Sequence, residues 1–189
     1  MKFINSWKLI IFLGAIFFFF MLHVFPVNEA EINQLAGVEV TPLDMRFSYS
    51  REDVLSLFQT LQEAGRAKYQ YVSSIIDMMY PLLYGVLLFL LLKKLIRSLP
   101  FAVGRLTIVC FLPIIAAVFD FIENFNVIGM LKSFPSITDT QVFASSLATS
   151  TKWTFLAASQ ISVVVLAAIH IVVFISRTLA SRKRSGQVE

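Results

Sequence analysis

The chain has 189 residues, 57% of them hydrophobic and 15% charged, with a mean hydropathy of +0.76. That balance excludes an ordinary soluble domain and fits an all-α integral membrane protein with one compact domain. The net charge of +4 gathers at the ends of apolar runs, where Lys and Arg act as topology signals. The lipid bilayer is therefore the expected partner, and no nucleic acid is. The single cysteine, Cys110, lies inside an apolar run. It cannot form an internal disulfide or a C-x-x-C centre, and it reads as a small buried hydrophobe.

The first apolar run covers 7–27, behind a basic flank at Lys2 and Lys8. About 20 residues suffice to cross roughly 30 Å of hydrocarbon. Only Ala30 offers a small residue for cleavage, so an uncleaved first helix is expected. The segment 28–71 is polar. Asn28 to Asp44, with Gly37 and Pro42, is predicted as loop. Ser50-Arg51-Glu52-Asp53 predicts a capping box. Val54, Leu55, Leu57, Phe58 and Leu61 then follow at helical spacing. This amphipathic helix would lie on the membrane surface or over the mouth of a bundle, and Gly65 is expected to end or bend it.

The second span is 72–96 and ends in Lys93, Lys94 and Arg97. Asp77, Tyr80, Pro81 and Tyr84 share one of its faces. Pro81 should free the carbonyl of Asp77 and kink the helix. The third span is 102–130, starting near Arg105 with Pro113 midway; 131–150 reads as a second outer segment; the fourth span is 153–176. The tail, 177–189, is polar and basic and expected to be disordered. The fold expected is a four-transmembrane-helix bundle with an amphipathic outer helix between spans 1 and 2. Lys and Arg asymmetry predicts both termini in the cytoplasm and both longer connections outside. A bacterial inner membrane is the expected location.

Ala117 to Asn126, A-V-F-D-F-I-E-N-F-N, carries the chemistry. Asp120, Glu123 and Asn124 stand at i, i+3 and i+4, one helical face. Acids at that depth are costly and point to a functional site. Counting from the basic anchors, His23, Asp77, Asp120 and Gln160 fall roughly 22–26 Å from the inner boundary, in one layer. Lys152 is placed to reach down to Glu123 along its flexible stem. The candidate pocket is Asp77, Tyr80, Tyr84, Asp120, Glu123, Asn124 and Lys152. Asp77 and Asp120 would be an acid pair, and Glu123 with Lys152 an ion pair above it.

Crowded carboxylates repel, so one of them is expected to carry an exchangeable proton. Binding or translocation of a small molecule, a lipid or a proton in an outward-facing polar pocket is the first reading. A membrane hydrolase is the second, using the aspartate pair or a metal held by carboxylates and His23. The architecture is similar to that of lipoprotein signal peptidases, but their Phe-Asn-x-Ala-Asp and Gly-Asn-x-x-Asp-Arg motifs are absent. A third reading is a structural or assembly factor in which the polar layer only locks helices together. His170 is expected to bond a carbonyl. No cofactor is expected, since neither a phosphate-binding glycine loop nor a G-x-S-x-G elbow occurs.

Five short patterns run through the middle of the chain: F-S-Y-S-R-E-D-V (Phe47–Val54), E-A-G-R-A-K-Y (Glu63–Tyr69), D-M-M-Y-P-L-L-Y-G (Asp77–Gly85), F-D-F-I-E-N (Phe119–Asn124) and T-K-W-T (Thr151–Thr154). Together they resemble a family of small bacterial four-helix membrane proteins. The resemblance spans Leu43 to Trp153 and implies architecture, with no activity.

Overall fold

The computed structural model describes residues 7–100 and 104–185. The described chain is all-α, and four of its helices are long and apolar enough to cross a membrane. Helix α1 is Trp7–Ala36 and α2 is Arg51–Thr60. Helix α3 is Gln62–Arg97, α4 is Leu112–Ser133 and α5 is Asp139–Ser185. A 3₁₀ stretch, Gly104–Phe111, leads into α4.

The boundaries differ from the sequence expectation at the end that carries α2, here called the cap end. The first helix does not stop at Val27. It runs on to Ala36, so Asn28–Ala36 is helix rather than loop, and left-handed Gly37 (φ 73°) ends it. A helix of this length reaches about 45 Å and must protrude from the hydrocarbon. Polar residues continue it because Ile32 and Ala36 still bury a face.

The amphipathic helix breaks at Gln62, with φ of 54°, three residues before the expected Gly65. Gly65 sits buried inside α3 instead, where a Cβ would stand 3.3 Å from that of Leu61. The 131–150 segment is also mostly helix. Thr138 and Gln141 form a reciprocal cap: Thr138 N–H donates to Gln141 Oε1 at 2.9 Å, and Gln141 N–H to Thr138 Oγ1 at 3.3 Å. That cap starts α5 at Asp139. The tail is helical through Ser185 rather than disordered over its described part. The flank at Lys2, the start of the third span at 102 and the last four residues of the tail lie outside the described residues.

Helix α3 is the hub. It packs on α4, on α5 and, along its other side, on α1. Its contact with α4 is close because Gly85 faces Ala117, where an added Cβ would come within 3.2 Å. Small residues bring transmembrane helices together in this way. Helix α1 attaches through Ile10, Leu87 and Leu90 and makes no substantial contact with α5 among the described residues.

The largest apolar core lies in the cap rather than between the spans. It gathers Ile32, Leu43, Val54, Leu57, Phe58, Leu61, Tyr69, Val127, Met130, Ile137 and Val142. Helix α2 thus spends its apolar face on the bundle, not on a membrane surface. The expected capping box holds its start: Asp53 N–H donates to Ser50 Oγ, and Ser50 N–H donates to Asp53 Oδ2 at 2.8 Å. Accepting from Ser50 N–H, and from the Ser50 hydroxyl, lowers the pKa of Asp53 below the usual carboxylate range.

Phe58→Ala should therefore destabilise the protein by about 3–5 kcal/mol, whereas Leu82→Ala, on an outward-facing position 60% exposed, should be nearly neutral. Thermal unfolding in a neutral detergent checks both.

Candidate functional site

Two irregular turns shape the centre of the molecule. Each of α1 and α3 contains a π-helical turn, Phe20–Val24 and Val72–Ile76, shortly before a proline, Pro26 and Pro81. Such turns relax a helix whose ladder a proline interrupts. The carbonyl of Asp77, freed by Pro81, accepts a hydrogen bond from Asn124 Nδ2 of α4 at 2.9 Å. The second hydrogen of that amide reaches Asp120 Oδ1 at 3.3 Å. One Asn side chain thus ties the carbonyl that Pro81 frees in α3 to the acid in α4.

Tyr84 O–H donates to Asp120 Oδ2 at 3.0 Å. Lys152 of α5 stands 2.5 Å from Glu123 Oε2 and 3.7 Å from Asp120 Oδ1. Thr149 Oγ1 donates to Glu123 Oε1 at 2.6 Å. Glu123 is fully buried and Lys152 only 5% exposed. Taking both charges out of water is costly, and their mutual attraction with the added hydrogen bonds must offset it.

A strap, residues 38–50 between α1 and α2, crosses the bundle mouth and closes this network. The Asp44 carbonyl accepts from Trp153 Nε1 at 2.9 Å and from Lys152 Nζ at 3.4 Å. The Tyr69 hydroxyl oxygen accepts from Leu43 N–H at 3.0 Å. Further along, Tyr49 O–H donates to Ser145 Oγ at 2.7 Å, and Ser150 O–H donates to the Phe47 carbonyl at 2.7 Å. Burial first, and then the charge of Glu123, push the Tyr49 phenol up to about 12.

Beneath the strap lies a cavity of about 470 Å³, within the ~300–1,000 Å³ range of small-molecule sites. Its polar end is Asp44, Asp77, Asp120, Asn124 and Lys152; its apolar part includes Phe17, Phe25, Leu87, Leu88 and Leu156. The lining residues that are themselves exposed are Met21 and Pro26 of α1, Met45 of the strap and Gln160 of α5. The opening therefore lies between α1 and α5, the two helices that do not pack together.

Six of the seven expected residues line this cavity: Asp77, Tyr80, Tyr84, Asp120, Asn124 and Lys152. Glu123 stands behind Lys152 and does not reach it. The Asp77 carboxylate makes no hydrogen bond or ion pair among the described residues; only its backbone carbonyl is engaged. The four-residue layer is only partly assembled. Asp77 and Asp120 meet at the cavity and Gln160 sits on its rim. His23, in contrast, is exposed on α1 and packs against Phe19. It does not line the cavity with the acids. Among the described residues no group of three His, Cys, Asp or Glu side chains is disposed to hold a metal ion. His170 bonds the carbonyl of Leu95 at 2.9 Å, as its position suggests.

Asp44, Tyr49, Thr149 and Trp153 are not legible as site residues in the sequence. Trp153 reads as an interfacial aromatic only while α5 is taken to begin beside it. The usable signal is Ser145, Thr149 and Lys152 at i, i+4 and i+7, a polar stripe on one face of α5. No protein-family model, curated protein or solved structure matches the chain.

Lys152→Met leaves Glu123 buried without its cation and should cost about 3–5 kcal/mol of stability; adding Glu123→Gln should recover part of it. Thermal unfolding of the two variants in detergent measures this. A second expectation concerns pH. An exposed phenol ionises at about 10, whereas Tyr49 keeps its proton to about 12. The folded state binds more protons than the unfolded state in that window, so the contribution of Tyr49 is full below pH ~10 and is lost as pH rises towards 12. The difference in phenolate absorbance between wild type and Tyr49→Phe should accordingly appear only near pH 12.

Proposed function

We propose that this protein binds a small amphiphilic molecule from the membrane in the cavity beneath the strap. The observation that carries this reading is the joining of an apolar cavity, open between α1 and α5, to a polar end that contains an unpartnered carboxylate, Asp77. A side opening suits a ligand that arrives through lipid, because its hydrocarbon part need not cross water. The π-helical turns of α1 and α3 border the same cavity through Met21 and Val72.

Two other readings have less support. A hydrolase using Asp77 and Asp120 would need both carboxylates free to share a water. Both oxygens of Asp120 are engaged, by Tyr84 and by Asn124. A purely structural lock accounts for Glu123, Thr149 and Lys152, but not for a cavity lined by Asp77. Proton exchange at Asp77 is compatible with ligand binding there.

The orientation that goes with this proposal has the cap end outside and both termini in the cytoplasm of a bacterial cell. Apart from Glu189, every acid lies at the cap end or in the polar layer, while Lys93, Lys94, Arg97 and Arg177 mark the opposite end. The positive-inside rule reads that asymmetry as stated.

Native mass spectrometry of protein purified in a mild neutral detergent tests the proposal. Wild type should carry a co-purifying small-molecule mass, and Leu156→Trp, which fills the cavity, should lose it without a fall in thermal stability. Identical spectra for the two proteins would count against the pocket.

A further inference from the structure

The charges around the cavity narrow the chemistry of the ligand. Lys152 is the one cation lining it among the described residues, and its charge is already taken up. Glu123 holds it at 2.5 Å from behind, Asp120 lies at 3.7 Å, and the Asp44 carbonyl accepts from it. Little of its field is left for an anionic head group. On the opposite account stand Asp77, without a partner, the Asp44 side chain on the strap, and Glu29 on α1. A formal excess of negative charge therefore faces the polar end of the cavity. Outside water such an excess needs a counter-charge, supplied by a proton or by the ligand.

Aromatic residues complete the wall. Tyr80 stacks between Phe17 and Phe20, meets Phe25 edge-on, and presents its ring at the cavity wall. Trp153 lines the wall beside Asp44. The Tyr80 ring is already packed by these phenylalanines and Lys152 lies over the Trp153 ring, so the carboxylates are what would hold an ammonium group. The apolar part, with Phe17, Leu88 and Leu156, would take a hydrocarbon chain. A cavity of 470 Å³ is at the small end of the ligand-site range of ~300–1,000 Å³, which suits one chain rather than two.

We infer that the ligand is a single-chain cationic amphiphile whose ammonium head sits against Asp77 and Asp44 and whose chain lies along α1 and α5. This inference rests on the pocket proposed above and adds the class of head group. Asp77 is the binding carboxylate. Asp120 belongs to the lock and keeps Tyr84 and Asn124 in place.

The test is competitive native mass spectrometry with wild-type protein in a neutral maltoside detergent and equal concentrations of dodecylamine and dodecanoate. Wild type should take up the amine about tenfold more than the carboxylate, a ratio that corresponds to about 1.4 kcal/mol. Asp77→Asn should remove most of that preference, and Asp44→Asn should reduce it. Leu156→Trp should abolish both adducts. Should Asp77→Asn fold poorly, the Asp44→Asn result decides alone. Preference for dodecanoate, or an amine adduct unchanged in both Asn variants, would overturn the head-group class and leave the pocket standing. Absence of both adducts from wild type, with a co-purifying mass that Leu156→Trp removes, would likewise overturn the class alone. Absence of both, with no such mass, would overturn the pocket as well.

Discussion

The structure depends on one ion pair, Lys152 with Glu123, placed where four segments meet. Neither charge can be left alone in a dry helix interface. Each partner is therefore surrounded: Thr149 serves Glu123, while Asp120 and the Asp44 carbonyl serve Lys152. These requirements join α4 to α5 and pin the strap to both. Through Asp120 they extend to Tyr84 and Asn124, and through Asn124 to the Asp77 carbonyl that Pro81 frees in α3. A polar network this complete sets the register of three helices, which apolar packing in lipid does weakly, since lipid tails are as apolar as Leu.

Helix α1 stands outside that arrangement. Between the spans it packs on α3 through Ile10, Leu87 and Leu90 and through Phe17, Phe20 and Phe25 around Tyr80, and at the cap end it joins the largest apolar core. The result is a bundle closed at one end and open at the side. The cap supplies most of the packed core, so it can hold the ends of α1 and α3 while the space between α1 and α5 stays unfilled. Separation of a rigid polar lock from an adjacent cavity gives the acids two roles. Glu123 and Asp120 maintain the fold; Asp77 faces the space.

The all-α class, the four spans and the acid-bearing face of α4 are legible in the residues themselves. Apolar runs of about 20 residues and the i, i+3, i+4 spacing of Asp120, Glu123 and Asn124 suffice. The reach of Lys152 to Glu123 is legible too, as is the freeing of the Asp77 carbonyl by Pro81, though not its bond with Asn124. Hydropathy misleads where helices leave the hydrocarbon. Asn28–Ala36 and Asp139–Ser150 are polar and look like loops, yet Ile32, Ala36, Val142 and Ala148 bury a face there. Periodicity at lower amplitude, together with the Thr138–Gln141 cap, is the better guide in those stretches. The strap is the least legible part. Asp44 contributes a backbone carbonyl to Lys152, and a backbone acceptor leaves no mark in a sequence. Counting depth along a helix also leaves open which way a residue faces: His23 is exposed on α1 and does not line the cavity.

The most direct measurement is electron cryomicroscopy of the protein in lipid nanodiscs, resolved well enough to follow side chains between α1 and α5. The account predicts that these helices stay apart, with elongated density entering between them and ending beside Asp77, and with Lys152 seated on Glu123. Helix α1 packed against α5 along its length, with a dry and filled centre, would contradict it.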